Sequence, residues 1–158
     1  TQKTFTSTTT KKTYTIRHPF NCQSRNLVYL LECKRCGEVQ YVGETGQTIK
    51  ERISGHRSNI NTKANTLVAK HFNSGAHSVQ DMSCTPIEQI RCKNINIRKK
   101  REKYWRYQLR SHYPEGLNVW DSKWSETVLC QKISKVTASP TEVWNATSDA
   151  ASITKEVK

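Results

Sequence analysis

The fold of this chain is decided by residues 27–43, LVYLLECKRCGEVQYVG. Its two ends are rich in β-forming residues, and the CKRCG turn between them contains Gly37, which can adopt the positive φ that a tight turn requires. This pattern predicts an antiparallel hairpin, with Tyr29 on the first strand and Tyr41 on the second. The two candidate strands are residues 26–33 and 38–43.

Two helical patterns follow the hairpin. The first begins after Thr48, a candidate N-cap, and its isoleucines recur with helical spacing. Arg52 and His56 flank the apolar stripe of this helix, so polar side chains are expected at the edge of the core. Residues 65–73 predict a second, short helix.

A third strand and a long helix complete the predicted fold. Residues 84–90 have strand character, and Pro86 favours a position at the edge of a sheet. Residues 97–113 predict the longest helix, and Glu102 falls along its apolar stripe. The fold class is therefore α+β, a small, mostly antiparallel three-stranded sheet flanked by helices.

The charge distribution favours a polyanionic partner. Lys and Arg number 26 against 13 Asp and Glu, a formal net charge of +13. Nine of the basic residues lie within 91–110, where Glu102 is the single acid, and such clustering is typical of nucleic-acid binding. A solvated basic surface is the alternative. The candidate DNA-binding residues are Lys99, Lys100, Arg101, Lys103 and Arg106.

The length of 158 residues predicts a single core with flanking segments. Residues 1–17 are Thr-rich and predict a flexible N-terminal arm, residues 18–122 form the domain, and residues 123–158 predict a largely disordered C-terminal extension. Because the sequence begins at Thr1 rather than Met, we expect a segment of a longer polypeptide.

Neither a membrane anchor nor a secretory disulfide framework is predicted. No segment reaches the roughly 20 consecutive apolar residues of a membrane helix, and an apolar signal region is absent from the sequence. Six cysteines in a chain of this size, without a signal peptide, favour metal binding over disulfides. We therefore expect an intracellular protein with no membrane partner.

Two residue pairs have the spacing of zinc ligands. Cys33-x2-Cys36 and His71-x5-His77 would supply two thiolates and two imidazoles, the donors that tetrahedral Zn²⁺ prefers. Four protein ligands leave no open position, so the predicted role of this Cys2His2 site is structural. Other cysteines remain possible substitutes for a ligand, although core positions suit them better. They are Cys22, Cys84 and Cys92.

A second group of residues carries a family resemblance. Its members, in chain order, are Leu27-Val28-Tyr29, Tyr41-Val42-Gly43, Arg52, His56, Glu102 and Asn118. Their order and spacing across residues 26–118 resemble the GIY-YIG endonuclease family. A narrower likeness, to the endonuclease domain of Penelope-like retroelements, rests on further residues. They are Asn21-Cys22, the Cys33-x2-Cys36 pair, Glu44-Thr45-Gly46, His71-Phe72-Asn73-x3-His77, Arg101–Trp105 and Pro114–Asn118.

The resemblance implies a biological setting. In those elements the domain lies C-terminal to a reverse transcriptase and nicks DNA, which leaves a 3′-hydroxyl to prime reverse transcription. The implied partners are DNA, a reverse transcriptase region of the same polypeptide and its RNA, and the implied location is nuclear. The oligomeric state stays open.

Phosphodiester hydrolysis needs an activated water and neutralised phosphoryl oxygens. An unperturbed tyrosine has a pKa of about 10, so it can act as a base only if nearby cations or hydrogen bonds favour its phenolate, or if it passes the proton onward. Arg52 has the charge to bind a phosphate and to bias a neighbouring phenol. Glu102 would hold one Mg²⁺ or Mn²⁺, unless it only pairs with Arg98 or Arg106 at i±4.

The remaining roles are implied by the resemblance. Tyr29 and Tyr41 are assigned to water activation and phosphate positioning, without a choice of which is the base. His56 would relay a proton or bind phosphate. Asn118 would orient Glu102 or an adjacent water.

Three other functions compete with the retroelement endonuclease. They are a non-catalytic, zinc-stabilised module that binds DNA or RNA, a structure-specific repair nuclease with the same chemistry, and an assembly module that contacts a reverse transcriptase. Because every catalytic position is filled, the sequence favours an active enzyme.

Overall fold

The computed structural model describes residues 3–120, so the predicted C-terminal extension, 123–158, lies outside the described residues. The elements are β1 (Thr4–Thr6), β2 (Thr13–Thr15), β3 (Leu27–Cys33), β4 (Gln40–Thr45), α1 (Ile49–Asn61), α2 (Leu67–Phe72), β5 (Met82–Gln89) and α3 (Ile95–Leu109). A single 3₁₀ turn, Val79–Asp81, precedes β5. None of the helices within residues 3–120 is long and apolar enough to cross a membrane.

The tyrosine hairpin is present as predicted. Strands β3 and β4 pair antiparallel, with Tyr29 opposite Gly43 and Leu31 opposite Tyr41. The turn between them contains Gly37 at φ 65°, the left-handed conformation that glycine adopts without a steric penalty. The hairpin register therefore brings both tyrosines to neighbouring positions on one face of the sheet.

The main sheet has the strand order β4-β3-β5, all antiparallel, which confirms the predicted fold class. Strand β5 occupies an edge, as Pro86 indicated, and the ladder shifts register between Val28 and Tyr29 opposite that proline. Strand β3 lies in the centre and its first five residues are buried, so it reads as a continuous apolar run.

Two apolar layers cover the sheet. On one face, the alternate β3 residues that include Leu27 and Tyr29 pack with residues of α1 and α2. On the other face, Val28 and Leu30 pack with Leu109 of α3 and with Phe5 from the N-terminus. This arrangement places the tyrosines against α1, while α3 crosses the opposite side and packs chiefly on β4.

The prediction of a flexible arm over residues 1–17 is wrong for the part that the structure describes. Strands β1 and β2 form an antiparallel hairpin. Phe5 is only 3% exposed, and its ring meets that of Trp105 at a centroid distance of 5.3 Å. The buried hydroxyl of Ser7 donates to the carbonyl of Leu109 over 2.8 Å. Apolar burial and a satisfied helix end outweigh the chain entropy that the Thr-rich composition suggested.

The predicted start of α1 agrees with the structure, whereas the predicted end of α3 does not. Thr48 caps α1 in a reciprocal capping box with Glu51, as the N-cap prediction anticipated. Helix α3 ends at Leu109 rather than at residue 113, because Arg110 takes a left-handed conformation, φ 49° and ψ 47°. The following turn then returns the chain to strand β4.

Candidate active site and metal cluster

The phenol oxygen of Tyr29 is the meeting point of the candidate active site. Arg52 donates its Nε–H to this oxygen over 2.7 Å, and Nε2 of His56 lies 2.8 Å from it. Arg52 and His56 are four residues apart on α1, so one turn of helix directs both toward the sheet. Tyr29 itself is fully buried.

Gly43 makes this arrangement possible. A Cβ atom at this position would lie 2.4 Å from the phenol oxygen of Tyr29 and 2.9 Å from the ring of Tyr41. Both distances are far below van der Waals contact. The glycine of the Tyr41-Val42-Gly43 triplet is therefore required by the close approach of the Tyr29 side chain across the hairpin.

The second phenol, Tyr41, completes an aromatic cluster. Its ring centroid lies 6.5 Å from that of Tyr29 and 5.6 Å from that of His56. Unlike Tyr29, it is partly exposed. Burial raises the pKa of Tyr41, the nearby carboxylate of Glu102 raises it further, and the guanidinium of Arg52 opposes both effects. Of the two tyrosines, Tyr41 is thus the one that keeps some contact with solvent.

Burial also controls the charge states of the buried groups. It raises the pKa of Tyr29, and the neighbouring Tyr41 adds to the increase. Burial, with the positive charge of Arg52, lowers the pKa of His56 to about 4. At neutral pH the site therefore contains two neutral phenols, a neutral imidazole and a charged guanidinium.

We expect the stability of the protein to fall as the pH drops from 6.5 to 4. In the unfolded chain His56 takes up a proton near its ordinary pKa of 6.5, whereas the folded imidazole stays neutral down to about 4. The unfolded state then binds more protons, which costs on the order of 2–3 kcal/mol across this window. Urea unfolding at several pH values measures the loss, and His56→Gln, which cannot titrate, should remove this part of it. Parallel curves for the two proteins would contradict the assignment.

Glu102 influences the Tyr41 phenol of this cluster. The sequence predicted either a metal-binding carboxylate or an ion pair with Arg98 or Arg106 at this position. Its side chain is 14% exposed, and the Nη2 of Arg106, one turn later on α3, donates to its Oε1 over 2.9 Å. The anticipated i,i+4 ion pair is therefore present. It does not displace Glu102 from the site, since the carboxylate still acts on the phenol of Tyr41.

The side chain of Asn118 bonds to strand β4, and its predicted role in orienting Glu102 or an adjacent water stays a prediction. Its amide oxygen accepts from the Val42 backbone N–H over 2.9 Å and from the Ser111 hydroxyl over 2.7 Å. Its amide nitrogen donates to the Val42 carbonyl over 2.8 Å. The side chain therefore bonds to the outer edge of β4 as a neighbouring strand would, and it holds the strand that carries Tyr41.

One buried ion pair beside the site was missed by sequence reasoning. Arg98 is 7% exposed and its Nε donates to the carboxylate of Glu44 on β4. Its guanidinium also lies over Gly46, where a Cβ would approach within 3.1 Å. The available signal was the glutamate directly after the Tyr41-Val42-Gly43 triplet, but its partner lies 54 positions away. This pair attaches the start of α3 to β4.

The five predicted DNA-binding residues separate into two kinds. Lys99 and Lys100 are exposed and Lys103 is partly exposed, as a phosphate-binding surface requires. Arg101 instead donates to Glu88 over 2.9 Å and stacks on the ring of Tyr104, 4.3 Å from its centroid. Arg106 pairs with Glu102. Both arginines thus have carboxylate partners, and their predicted contacts with DNA stay a prediction.

The four predicted zinc ligands come together at the far end of the hairpin. One ligand atom from each of Cys33, Cys36, His71 and His77 can be chosen so that all lie within 4.8 Å of one another. Sγ of Cys36 and Nε2 of His71 are 3.8 Å apart, close to the ~3.3–3.8 Å separation that tetrahedral zinc bonds of ~2.0–2.3 Å imply. Within residues 3–120, three further cysteines lie outside this cluster, namely Cys22, Cys84 and Cys92.

His77 is oriented in a way that suits a ligand. Its Nδ1 lies 3.4 Å from the backbone carbonyl of His71, so a proton on Nδ1 leaves Nε2 as the electron-pair donor. The His71 and His77 rings are 4.4 Å apart. Strand β3 and helix α2 thus contribute to one Cys/His cluster with the chemistry of a metal site.

Comparison with known proteins agrees with this geometry. The GIY-YIG catalytic domain family matches residues 25–118, more than half of the chain. No curated protein sequence matches the chain significantly. Among solved structures, the catalytic domain of the homing endonuclease I-TevI is similar, with a TM-score of 0.52, 18% identity, and coverage of 61% of this chain and 100% of that one. At this identity the likeness shows the fold alone. From the family match, the chain belongs to the GIY-YIG catalytic domain family and is a nuclease.

Proposed function

We propose that the protein is a metal-dependent DNA endonuclease that nicks DNA and leaves a 3′-hydroxyl. The observation that carries this proposal is the convergence of Arg52 and His56 on the Tyr29 oxygen, directly beside Tyr41 and within the field of Glu102. A cation that can bind phosphate, a phenol that can act as a base once ionised, and a carboxylate that can hold a metal are groups that can carry out phosphodiester hydrolysis.

The residues divide the work according to their exposure. Tyr41, the partly exposed phenol, acts as the base in its phenolate form, which the guanidinium of Arg52 favours; the phenolate takes up one proton of the attacking water and becomes the neutral phenol as the bond forms. Arg52 binds a phosphoryl oxygen and stabilises negative charge on either phenol. Tyr29 is buried and acts through its bonds, because it holds Arg52 and His56 in place.

Glu102 fits a hard divalent cation such as Mg²⁺ or Mn²⁺. Its oxygen donors, largely shielded from solvent and next to a phenol, match the preference of these ions for carboxylate and water ligands. When bound there, the ion would supply charge neutralisation for the phosphate and for the leaving oxygen. Asn118 contributes by holding β4, and with it Tyr41, in position.

The Cys/His cluster fits structural Zn²⁺. Two soft thiolates and two imidazoles, gathered from β3, the hairpin turn and the segment around α2, form the donor set that selects zinc. Four protein donors leave no position for substrate. We propose that zinc joins the turn of the tyrosine hairpin to α2 and so stabilises the site from a distance.

The narrower resemblance supports a retroelement setting. The Cys33-x2-Cys36 pair within the tyrosine interval and the His71–His77 pair are among the residues that carry the likeness to Penelope-like elements. We propose that the domain acts on nuclear DNA beside a reverse transcriptase region and its RNA, and that the nick primes reverse transcription. The excess of positive charge, +13, suits both nucleic acids.

The test is a nicking assay with supercoiled plasmid and the zinc-loaded protein. With Mg²⁺ or Mn²⁺ we expect conversion to open circles, and the nicks should be extended by a DNA polymerase without end repair, because they carry a 3′-hydroxyl. Tyr41→Phe should lower the rate on the order of 100-fold with DNA binding kept. Salt-sensitive binding without any cleavage would indicate instead a non-catalytic binding module.

A further inference from the structure

Glu102 and Arg106 form an ion pair that differs from an ordinary helix-surface pair. Their side chains are 14% and 17% exposed, and Nη2 of Arg106 donates to Oε1 of Glu102 over 2.9 Å. Exposed i,i+4 pairs are weak because water screens them. Here both charges are largely removed from solvent, so their mutual attraction is stronger.

Both charges of the pair influence a tyrosine of the candidate active site. The carboxylate of Glu102 and the guanidinium of Arg106 both act on the Tyr41 phenol, with opposite signs, as expected when both charges lie near the same ring. Arg101, on the same helix, turns away and pairs with Glu88. Arg106 therefore belongs with the reacting groups and not with the exposed lysines of α3.

We propose that Arg106 competes with the divalent cation for the Glu102 carboxylate and so sets the metal affinity of the nuclease. The inference rests on the proposed function, in which Glu102 holds the ion. A guanidinium hydrogen-bonded to Oε1 offsets the negative charge that attracts the cation, and the two positive groups repel each other at close range.

The consequence is a nuclease that binds metal weakly while Arg106 stays on Glu102. Phosphate groups are alternative partners for a guanidinium, and they match its planar donors. A DNA phosphate near Tyr41 would draw Arg106 away from Glu102, so DNA and the cation would assist each other in binding.

The experiment measures Mn²⁺ binding to the full, zinc-loaded chain by electron paramagnetic resonance, without DNA. We expect Arg106→Gln to bind Mn²⁺ about tenfold more tightly than the wild type, and Arg106→Lys, which keeps the charge on a more flexible group, to gain less. Lys93→Gln removes one positive charge from an exposed position outside the helix and should leave the affinity within twofold of the wild type. Circular dichroism and zinc content confirm that each variant is folded.

An unchanged or weaker Mn²⁺ affinity in folded Arg106→Gln would overturn the inference and leave the ion pair with a structural role. Equal tightening by Lys93→Gln would also overturn it, since net charge would then explain the effect. Glu102→Gln tests the metal role of Glu102 separately from the competition by Arg106. If that variant still binds Mn²⁺ as the wild type does, the proposed metal role of Glu102 fails, and the competition fails with it.

Discussion

Replacing Glu102 with alanine is expected to lower plasmid nicking by on the order of 10³-fold or more, with DNA binding retained. Its carboxylate acts on Tyr41, and it is proposed to hold the metal, a role that the neighbouring cations Arg52 and Arg106 cannot take. DNA affinity should persist because it depends mainly on Lys and Arg contacts to phosphates. Nicking and a salt titration of binding are measured on the same preparations.

Glu102→Gln provides the sharper comparison, because the amide keeps the shape of the side chain and can still accept from Arg106. It should lose nicking nearly as completely as alanine. Glu38→Gln removes an equal charge from an exposed position and serves as the matched control. Wild-type nicking by Glu102→Gln would disprove the role of the carboxylate, and loss of DNA binding would point to a damaged fold.

Replacing Cys33 with serine is expected to remove zinc and to lower the free energy of unfolding by roughly 3 kcal/mol or more. Structural zinc contributes on the order of 10 kcal/mol to small modules, and three remaining ligands retain only part of it. The cluster joins the hairpin turn to α2, so this loss should reach the whole domain. Metal analysis of purified protein and urea unfolding provide the two measurements.

Two further variants separate zinc loss from simple core damage. Cys33 is 1% exposed, so Cys33→Ser also places a hydroxyl in the core. His77 is less buried, and we therefore expect His77→Gln to lower the zinc content at a smaller cost in packing. Cys92→Ser, at an exposed cysteine outside the cluster, should change neither quantity. Wild-type protein without zinc, or Cys33→Ser with full zinc content, would rule out the ligand set.

Local chemistry explains why several elements could be predicted. Thr48 caps a helix through bonds to residues three positions away, and Gly37 takes a positive φ within its own turn. Pro86 lies on an edge strand because it has no N–H to donate. Each of these preferences acts over a few residues, so the pattern that encodes it is visible in a short window.

Contacts between distant segments explain where prediction failed. The N-terminal hairpin is ordered because Phe5 meets Trp105, which is 100 residues later, and no local pattern announces that contact. The sequence indicated only a role for Asn118 near Glu102 or a water, and the bonds of its amide to Val42 at the edge of β4 were not foreseen. The Thr-rich composition and the single asparagine carried no information about these partners.

The sequence by itself determined the tyrosine hairpin, the ligand types of the Cys/His cluster and the order of the nuclease residues, because strand propensity, turn chemistry and donor identity are properties of short segments. Only the tertiary structure decided how these residues are used. It buried Tyr29 under Arg52 and His56, left Tyr41 partly exposed, and paired Glu102 with Arg106. Exposure and charge pairing depend on which segments pack against each other, and those packing partners come from parts of the chain that are far apart in sequence.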